Sequence, residues 1–195
     1  RAADGTHEAG GGEVGDHGDG VRPIVGPGGE QVGEAGIEID IPEPHATLEE
    51  NAREKSGTIH RLTGMDCFSE DTGLEVAALN GEPGVHSAHY AGPERSDKKN
   101  IALLLSKLNG QASRAARFRT VISLIWLGKE YTFEGICRGN IANETAGDKG
   151  FGYDPVFIPE GSEKTFAQMN MDEKNGFSHR KKAFAQMLLF LQENA

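Results

Sequence analysis

Cysteine is scarce: two of 195 residues, Cys67 and Cys137, which form no CxxC motif and no Cys/His grouping. A disulfide framework or a structural zinc site therefore has little support, and a reducing cytoplasm is the expected compartment. Long hydrophobic runs are lacking as well. The longest, Val121 to Leu127, is interrupted by Ser123 and is far too short to span a bilayer. The N-terminus has no basic stretch followed by an apolar one, so no membrane anchor or export signal is expected. Basic charge is in deficit, 20 Lys and Arg against 30 Asp and Glu for a net charge of −10, so no nucleic-acid surface is expected. There is no internal repeat and, despite 27 glycines, no G-X-Y period. Residues 1–36 contain no Leu, Met, Phe, Tyr or Trp, yet they hold 12 of the glycines and seven acidic residues against two basic ones. By composition that segment reads as disordered. The whole chain, at 36% hydrophobic and 26% charged, suits one globular domain or at most two small lobes.

After Gly36 the texture becomes that of ordinary globular sequence. Thr47 followed by Glu50 offers a capping box, and Leu48, Ala52, Ile59 and Leu62 share a helical face, which predicts a helix over 47–63. Met65 to Ser69 reads as a short strand delivering Glu70, Asp71, Thr72 and Gly73 at its end, where open α/β sheets bind ligands. Adjacent acids there argue against the strand running on. Ile101, Leu104, Leu105 and Leu108 mark a second helix closed by Asn109 and Gly110. Phe118 to Leu127 and Tyr131 to Arg138 form a hairpin around Gly128, Lys129 and Glu130. Pro155 to Ile158 reads as a further strand. Lys181 to Leu191, with Phe184, Leu188 and Leu191 at helical spacing, reads as a closing helix. The expected class is α/β with a mixed sheet.

Three groups of residues carry chemistry. Glu43, Glu49 and Glu50, with Glu70 and Asp71, are carboxylates from separate segments. Such a set serves a hard cation such as Mg²⁺, which prefers oxygen ligands and keeps waters for phosphates to displace; the alternative is a solvated acidic surface. The loop Gly147 to Pro155 has neither the GxGxxG nor the GxxxxGK spacing. Its glycines let the backbone approach a ligand while Phe151 stacks on it and Asp154 accepts from ring N–H groups. The alternative is a tight turn with Phe151 in the core. Lys174 to Arg180, KNGFSHR, offers cations for phosphates or carbonyl oxygens, or else a solvated loop.

Taken together, LEENA (Leu48 to Ala52), SEDTGLEVAALNGEPGVHSAHYAG (Ser69 to Gly92), ARF (Ala116 to Phe118), GFGYDPVF (Gly150 to Phe157) and EKNGFSHRKKA (Glu173 to Ala183) resemble the inosine triphosphate pyrophosphatase family over about residues 37–193. The resemblance implies an elongated two-lobed α/β fold around a central mixed sheet with flanking helices, forming one nucleotide-pyrophosphatase domain over 1–195, usually as a homodimer. It implies Mg²⁺-dependent cleavage of non-standard purine nucleoside triphosphates (ITP, dITP, XTP) to the monophosphate and pyrophosphate. Asp71 looks like the catalytic acid, which holds the metal and activates water, Glu43 like the second metal carboxylate, and Glu70 like the auxiliary acid beside Asp71. Lys55 resembles a helix lysine facing the phosphates, and Thr72 a substrate contact. Phe151, Gly152, Tyr153 and Asp154 resemble the base-stacking loop, and Lys174, His179 and Arg180 the groups that read the base and its 6-keto oxygen. Arg180 only donates, so it suits the O6 of hypoxanthine and opposes the 6-amino group of adenine.

The sequence departs from that pattern in two places. His86 and His89 stand where a tyrosine and an arginine are usual. The apolar first strand and its phosphate-gripping T/S-x-N-x-x-K loop are missing from 1–36, the nearest trace being Thr6 to Gly11, with Glu8 and Gly11 in place of the asparagine and lysine. A compensated frameshift in a glycine-rich coding region would produce such a stretch. The competing expectations are a catalytically impaired purine-nucleotide-binding protein and an acidic hydrolase acting on another phosphate ester.

Overall fold

The computed structural model describes residues 22–23 and 41–194. Helix α1 (Leu48–Thr63) starts where the Thr47 side chain accepts the Glu50 N–H and stops at Gly64 in a left-handed conformation. The Glu50 carboxylate takes the Thr47 hydroxyl at 2.9 Å, so the side chain of Glu50 is spent on the cap. The inward stripe of α1 is Leu48, Asn51, Ala52, Lys55, Ser56 and Ile59. Leu62, expected on that stripe, is 58% exposed, because α1 has by then run past Cys67, the first residue of the strand beneath it.

That strand, β2 (Cys67–Val76), does not end at Ser69. Strand β4 (Ala115–Trp126) pairs with it antiparallel from Cys67 opposite Ile125 to Val76 opposite Ala116, and this uninterrupted ladder carries Glu70 and Asp71 through mid-strand. Strand β5 (Lys129–Ile141) follows across a two-residue turn, Leu127 and Gly128, both left-handed (φ 50° and 71°). Lys129 and Glu130, expected in the turn, open β5 instead, since paired left-handed residues give the turn the twist that flanking strands need. Two-residue strands β1 (Arg22–Pro23) and β3 (Pro83–Gly84) pair with β2, and β6 (Phe157–Pro159) pairs with β5. The β1 pairing is parallel and the others are antiparallel, so the sheet is mixed. Arg22–Pro23 is thus strand inside the glycine-rich segment. The rest of 1–36, including Thr6 to Gly11, lies outside the described residues.

Helix α1 covers one face of the sheet and α4 (His179–Asn194) the other. The register of α4 is set by Gly135 of β5: a Cβ there would sit 1.9 Å from the His179 carbonyl oxygen, so only glycine lets the helix come so close. Ala183 and Met187 therefore face inward, while Leu188, expected on the inner stripe, is 53% exposed. Two short helices, α2 (Asp97–Lys107) and α3 (Met171–Phe177), complete the set.

The described core has four clusters: two small ones lie under α1 (Ile59, Cys67 and Ile125; Leu48, Ala52 and Val121), and two larger ones fill the rest. Leu74 and Val76 of β2 join α2, Phe157 and Phe166 in one cluster, whereas Phe68 joins Ile122, Leu124, Ala183 and Met187 in another. Burying side chains of this size stabilises by about 1.5–3 kcal/mol each. Residues 70–73 lie on the strand between the two clusters, where polar groups replace apolar ones. Among the described residues no helix is long and apolar enough to cross a membrane.

Candidate active site

Half of the buried stripe of α1 is polar, which costs stability unless every group finds a partner. The partners come from the segment ahead of α1, from β2, whose odd-numbered residues face α1, and from β4, where the Ser123 hydroxyl meets that of Ser56 at 2.8 Å. Lys55 Nζ donates to Glu43 Oε1 at 2.6 Å and to Asp71 Oδ1 at 3.3 Å. Asn51 is clamped to the backbone of His45, accepting its N–H at 3.0 Å, and donates to Asp71 Oδ2 at 3.4 Å. Burial raises the Asp71 carboxyl to about 6; Lys55 opposes that shift and Glu43 adds to it. Asp71 is thus a buried carboxylate whose proton affinity burial raises toward neutrality.

Even-numbered residues of β2 face α4. Glu70, 3% exposed, accepts from Arg180 Nε at 2.8 Å, and Thr72 shares a 2.8 Å hydroxyl contact with Thr120. Glu70 and Asp71, adjacent in sequence, therefore serve different faces. Glu49 goes elsewhere again: with Glu75 and Glu134 it surrounds Arg119 of β4.

In the loop after β5, Phe151 is 64% exposed, so it is not a core residue. Tyr153 and Asp154 are buried, and the Tyr153 hydroxyl donates to the Ser87 carbonyl at 2.9 Å. Asp154 Oδ2 accepts from the Phe151 N–H at 3.0 Å and from Lys174. A buried carboxylate needs such donors, and the loop supplies one and α3 the other. Gly152 donates its N–H to Asp97 at 2.7 Å. Lys174 Nζ lies 5.3 Å from the centroid of the Phe151 ring and 5.3 Å from that of Phe166. His179 stacks on Phe118, and burial, with Arg180, Lys174 and Lys182 nearby, lowers its pKa to about 3.

The sequence-derived candidates thus fall into Glu43, Lys55 and Asp71 on the α1 face, and Phe151, Asp154, Lys174 and, separately, Glu70, Thr72, His179 and Arg180 on the loop and α4 side. Asn51, Phe118 and Arg119 were not among them. Asn51 was findable as a polar residue between Leu48 and Ala52 on an inward stripe; Phe118 lay in the ARF stretch without a role attached to it, and Arg119 carried no signal beyond strand alternation.

The scaffold is a mixed-sheet α/β fold with a buried carboxylate–lysine centre between α1 and β2 and, apart from it, an aromatic loop held by Lys174. The chain belongs to the Ham1 family, whose model matches residues 21–190. It is 48% identical over 154 residues to a dITP/XTP pyrophosphatase of Christiangramia forsetii, covering 79% of this chain and 81% of the relative. It is 49% identical over 159 residues to one of Porphyromonas gingivalis, covering 81% and 82%. Among solved structures, the Staphylococcus aureus Ham1 protein superposes with a TM-score of 0.78 at 40% identity, over 81% of this chain and 83% of that one.

Proposed function

We propose that the chain hydrolyses non-standard purine nucleoside triphosphates (ITP, dITP and XTP) to the monophosphate and pyrophosphate. The observation that carries this reading is the Glu43–Lys55–Asp71 cluster, an acid–cation–acid arrangement in which Lys55 and Asp71 are buried between α1 and β2 and Glu43 reaches Lys55 from the exposed segment ahead of α1. The relatives' activity, dITP/XTP pyrophosphatase, supports it.

The donor set suits Mg²⁺. Glu43 and Asp71 offer only oxygens, and the Lys55 ammonium already bridges them as a cation. Among the described residues no group of three His, Cys, Asp or Glu side chains is arranged to hold a metal by itself, so the remaining ligands would be waters and substrate phosphates, the usual pattern for this ion. When bound, Mg²⁺ supplies the charge neutralisation that a triphosphate needs beside an acidic protein. Asp71 accepts a proton from the attacking water, Asn51 holds that carboxylate in place, and Lys55 balances charge at the phosphates. Phe151 stacks on the base, while Arg180, which can only donate, favours a 6-keto oxygen over a 6-amino group. Attack at phosphorus needs positioning and charge stabilisation and no covalent nucleophile.

The test is pyrophosphate release from ITP, XTP, dITP, ATP and GTP with and without Mg²⁺. The expected result is Mg²⁺-dependent turnover that prefers the non-standard purines. Equal rates on ATP and ITP would overturn the base assignment, and the absence of turnover the catalytic one.

A further inference from the structure

The family resemblance gives Glu70 as an auxiliary acid beside Asp71, and the two side chains leave β2 toward different partners. Successive side chains of a strand point to opposite faces. Asp71 meets Lys55 and Asn51 under α1, whereas Glu70 meets Arg180 under α4. Glu70 is also the more enclosed of the two, at 3% exposure, and the cation recorded against it is Arg180.

The form of that contact matters. Glu70 Oε1 takes the Nε–H of Arg180, leaving Glu70 Oε2 buried without a partner. Among the described residues no acceptor is recorded for the two terminal nitrogens of Arg180, whose side chain is 28% exposed. A guanidinium is a rigid planar fork, so fixing its inner N–H fixes the direction of its outer donors. Glu70 thus holds the root of the fork while the tip stays open to an acceptor.

We propose that Glu70 is a positioning residue for Arg180: it orients the guanidinium toward the purine 6-position and thereby sets the preference for 6-keto over 6-amino bases. This rests on the reading above that Arg180 faces the base. It assigns Glu70 to recognition and removes it from the chemistry at phosphorus. An unoriented Arg180 would retain its charge and lose its directional selectivity.

The test compares Glu70→Ala, Glu70→Gln and Arg180→Ala, and the double variant Glu70→Ala/Arg180→Ala, in the full chain. Steady-state kinetics are measured on ITP and ATP, and calorimetric binding on IMP and AMP. In Glu70→Ala the loss is expected mainly in KM for ITP, about tenfold or more, with the ITP:ATP ratio of kcat/KM falling by a similar factor. Glu70→Gln, which keeps an acceptor oxygen for Nε–H, is expected to retain more of that ratio and to guard against a folding artefact. The double variant is expected to be no worse than Arg180→Ala alone, since residues acting as a unit are not additive. A fall in kcat of about a hundredfold in Glu70→Gln with KM and selectivity unchanged would overturn the proposal in favour of an auxiliary acid. Additive losses in the double variant would overturn it too. The binding arm reads selectivity independently of turnover. A wild type that binds IMP better than AMP without hydrolysing ITP would refute the catalytic reading alone and leave this one to be decided by the variants' IMP:AMP ratios.

Discussion

His179 lies flat on Phe118, with ring centroids 5.0 Å apart and planes within 10°. Phe118 in turn meets Phe157 edge-on and Phe166 in a stacked pair, so the imidazole caps an aromatic pillar rising from the core. Its Nδ1 is buried without a partner. Three cations, Arg180, Lys174 and Lys182, oppose its protonation.

A neutral His179 has a signature in stability. Its folded pKa is about 3 against an ordinary 6.5, so between those values the unfolded chain binds a proton that the native chain refuses. Its contribution is fully present above pH 6.5 and is lost as pH falls toward 3. In urea denaturation at pH 7.5 and 5.0, wild type is expected to lose more stability on acidification than His179→Leu. Equal losses would show that His179 titrates normally.

Lys55 stands between two carboxylates with its own side chain 11% exposed. Removing one partner of so enclosed a group leaves uncompensated charge, and Lys55→Met is expected to cost about 3 kcal/mol without added metal. Mg²⁺ should restore stability in Lys55→Met more than it raises that of wild type, because a cation then replaces the lost ammonium. Thermal denaturation with and without Mg²⁺ measures this, and equal shifts would count against a cation site at Glu43 and Asp71.

Phe151 is exposed, so truncation should leave folding almost untouched while removing a stacking platform. Phe151→Ala is expected to raise KM for ITP about tenfold to a hundredfold, with kcat little changed, given ~1–3 kcal/mol per stacked base. A large fall in kcat at constant KM would argue against stacking.

Gly150 holds the same loop from beneath. Its φ is +78°, and a Cβ would lie 1.9 Å from Asp154 Oδ2, the atom that anchors Phe151 and Lys174. Gly150→Ala is expected to destabilise by about 1–3 kcal/mol and to weaken ITP binding more than Phe151→Ala alone, since it displaces both groups. Isothermal titration with IMP separates the two variants.

The sequence revealed features governed by local chemistry. Thr47 caps α1 through its neighbour Glu50, and the stripe from Leu48 to Ile59 repeats every turn, so that helix could be drawn in advance. The two-residue turn at Leu127 and Gly128 could not, because a leucine at positive φ is a choice made by strand twist. The course of β2 through two adjacent acids was also hidden. Glu70 and Asp71 look like a strand terminus until ten consecutive pairings with β4 are present, and only then do their opposite directions follow. The inward turn of Ala183 and Met187, leaving Leu188 outside, depends on Gly135 in a different element. Asn51 reaches Asp71 across 20 positions of chain, a contact that helical spacing alone could not specify.

The proposed chemistry depends on one carboxylate. Pyrophosphate release from ITP in saturating Mg²⁺ should fall in kcat by about a hundredfold to ten-thousandfold in Asp71→Asn, with KM within a few-fold of wild type, since the amide keeps shape and loses basicity. A kcat for Asp71→Asn equal to that of wild type would contradict the assignment of Asp71 as the base.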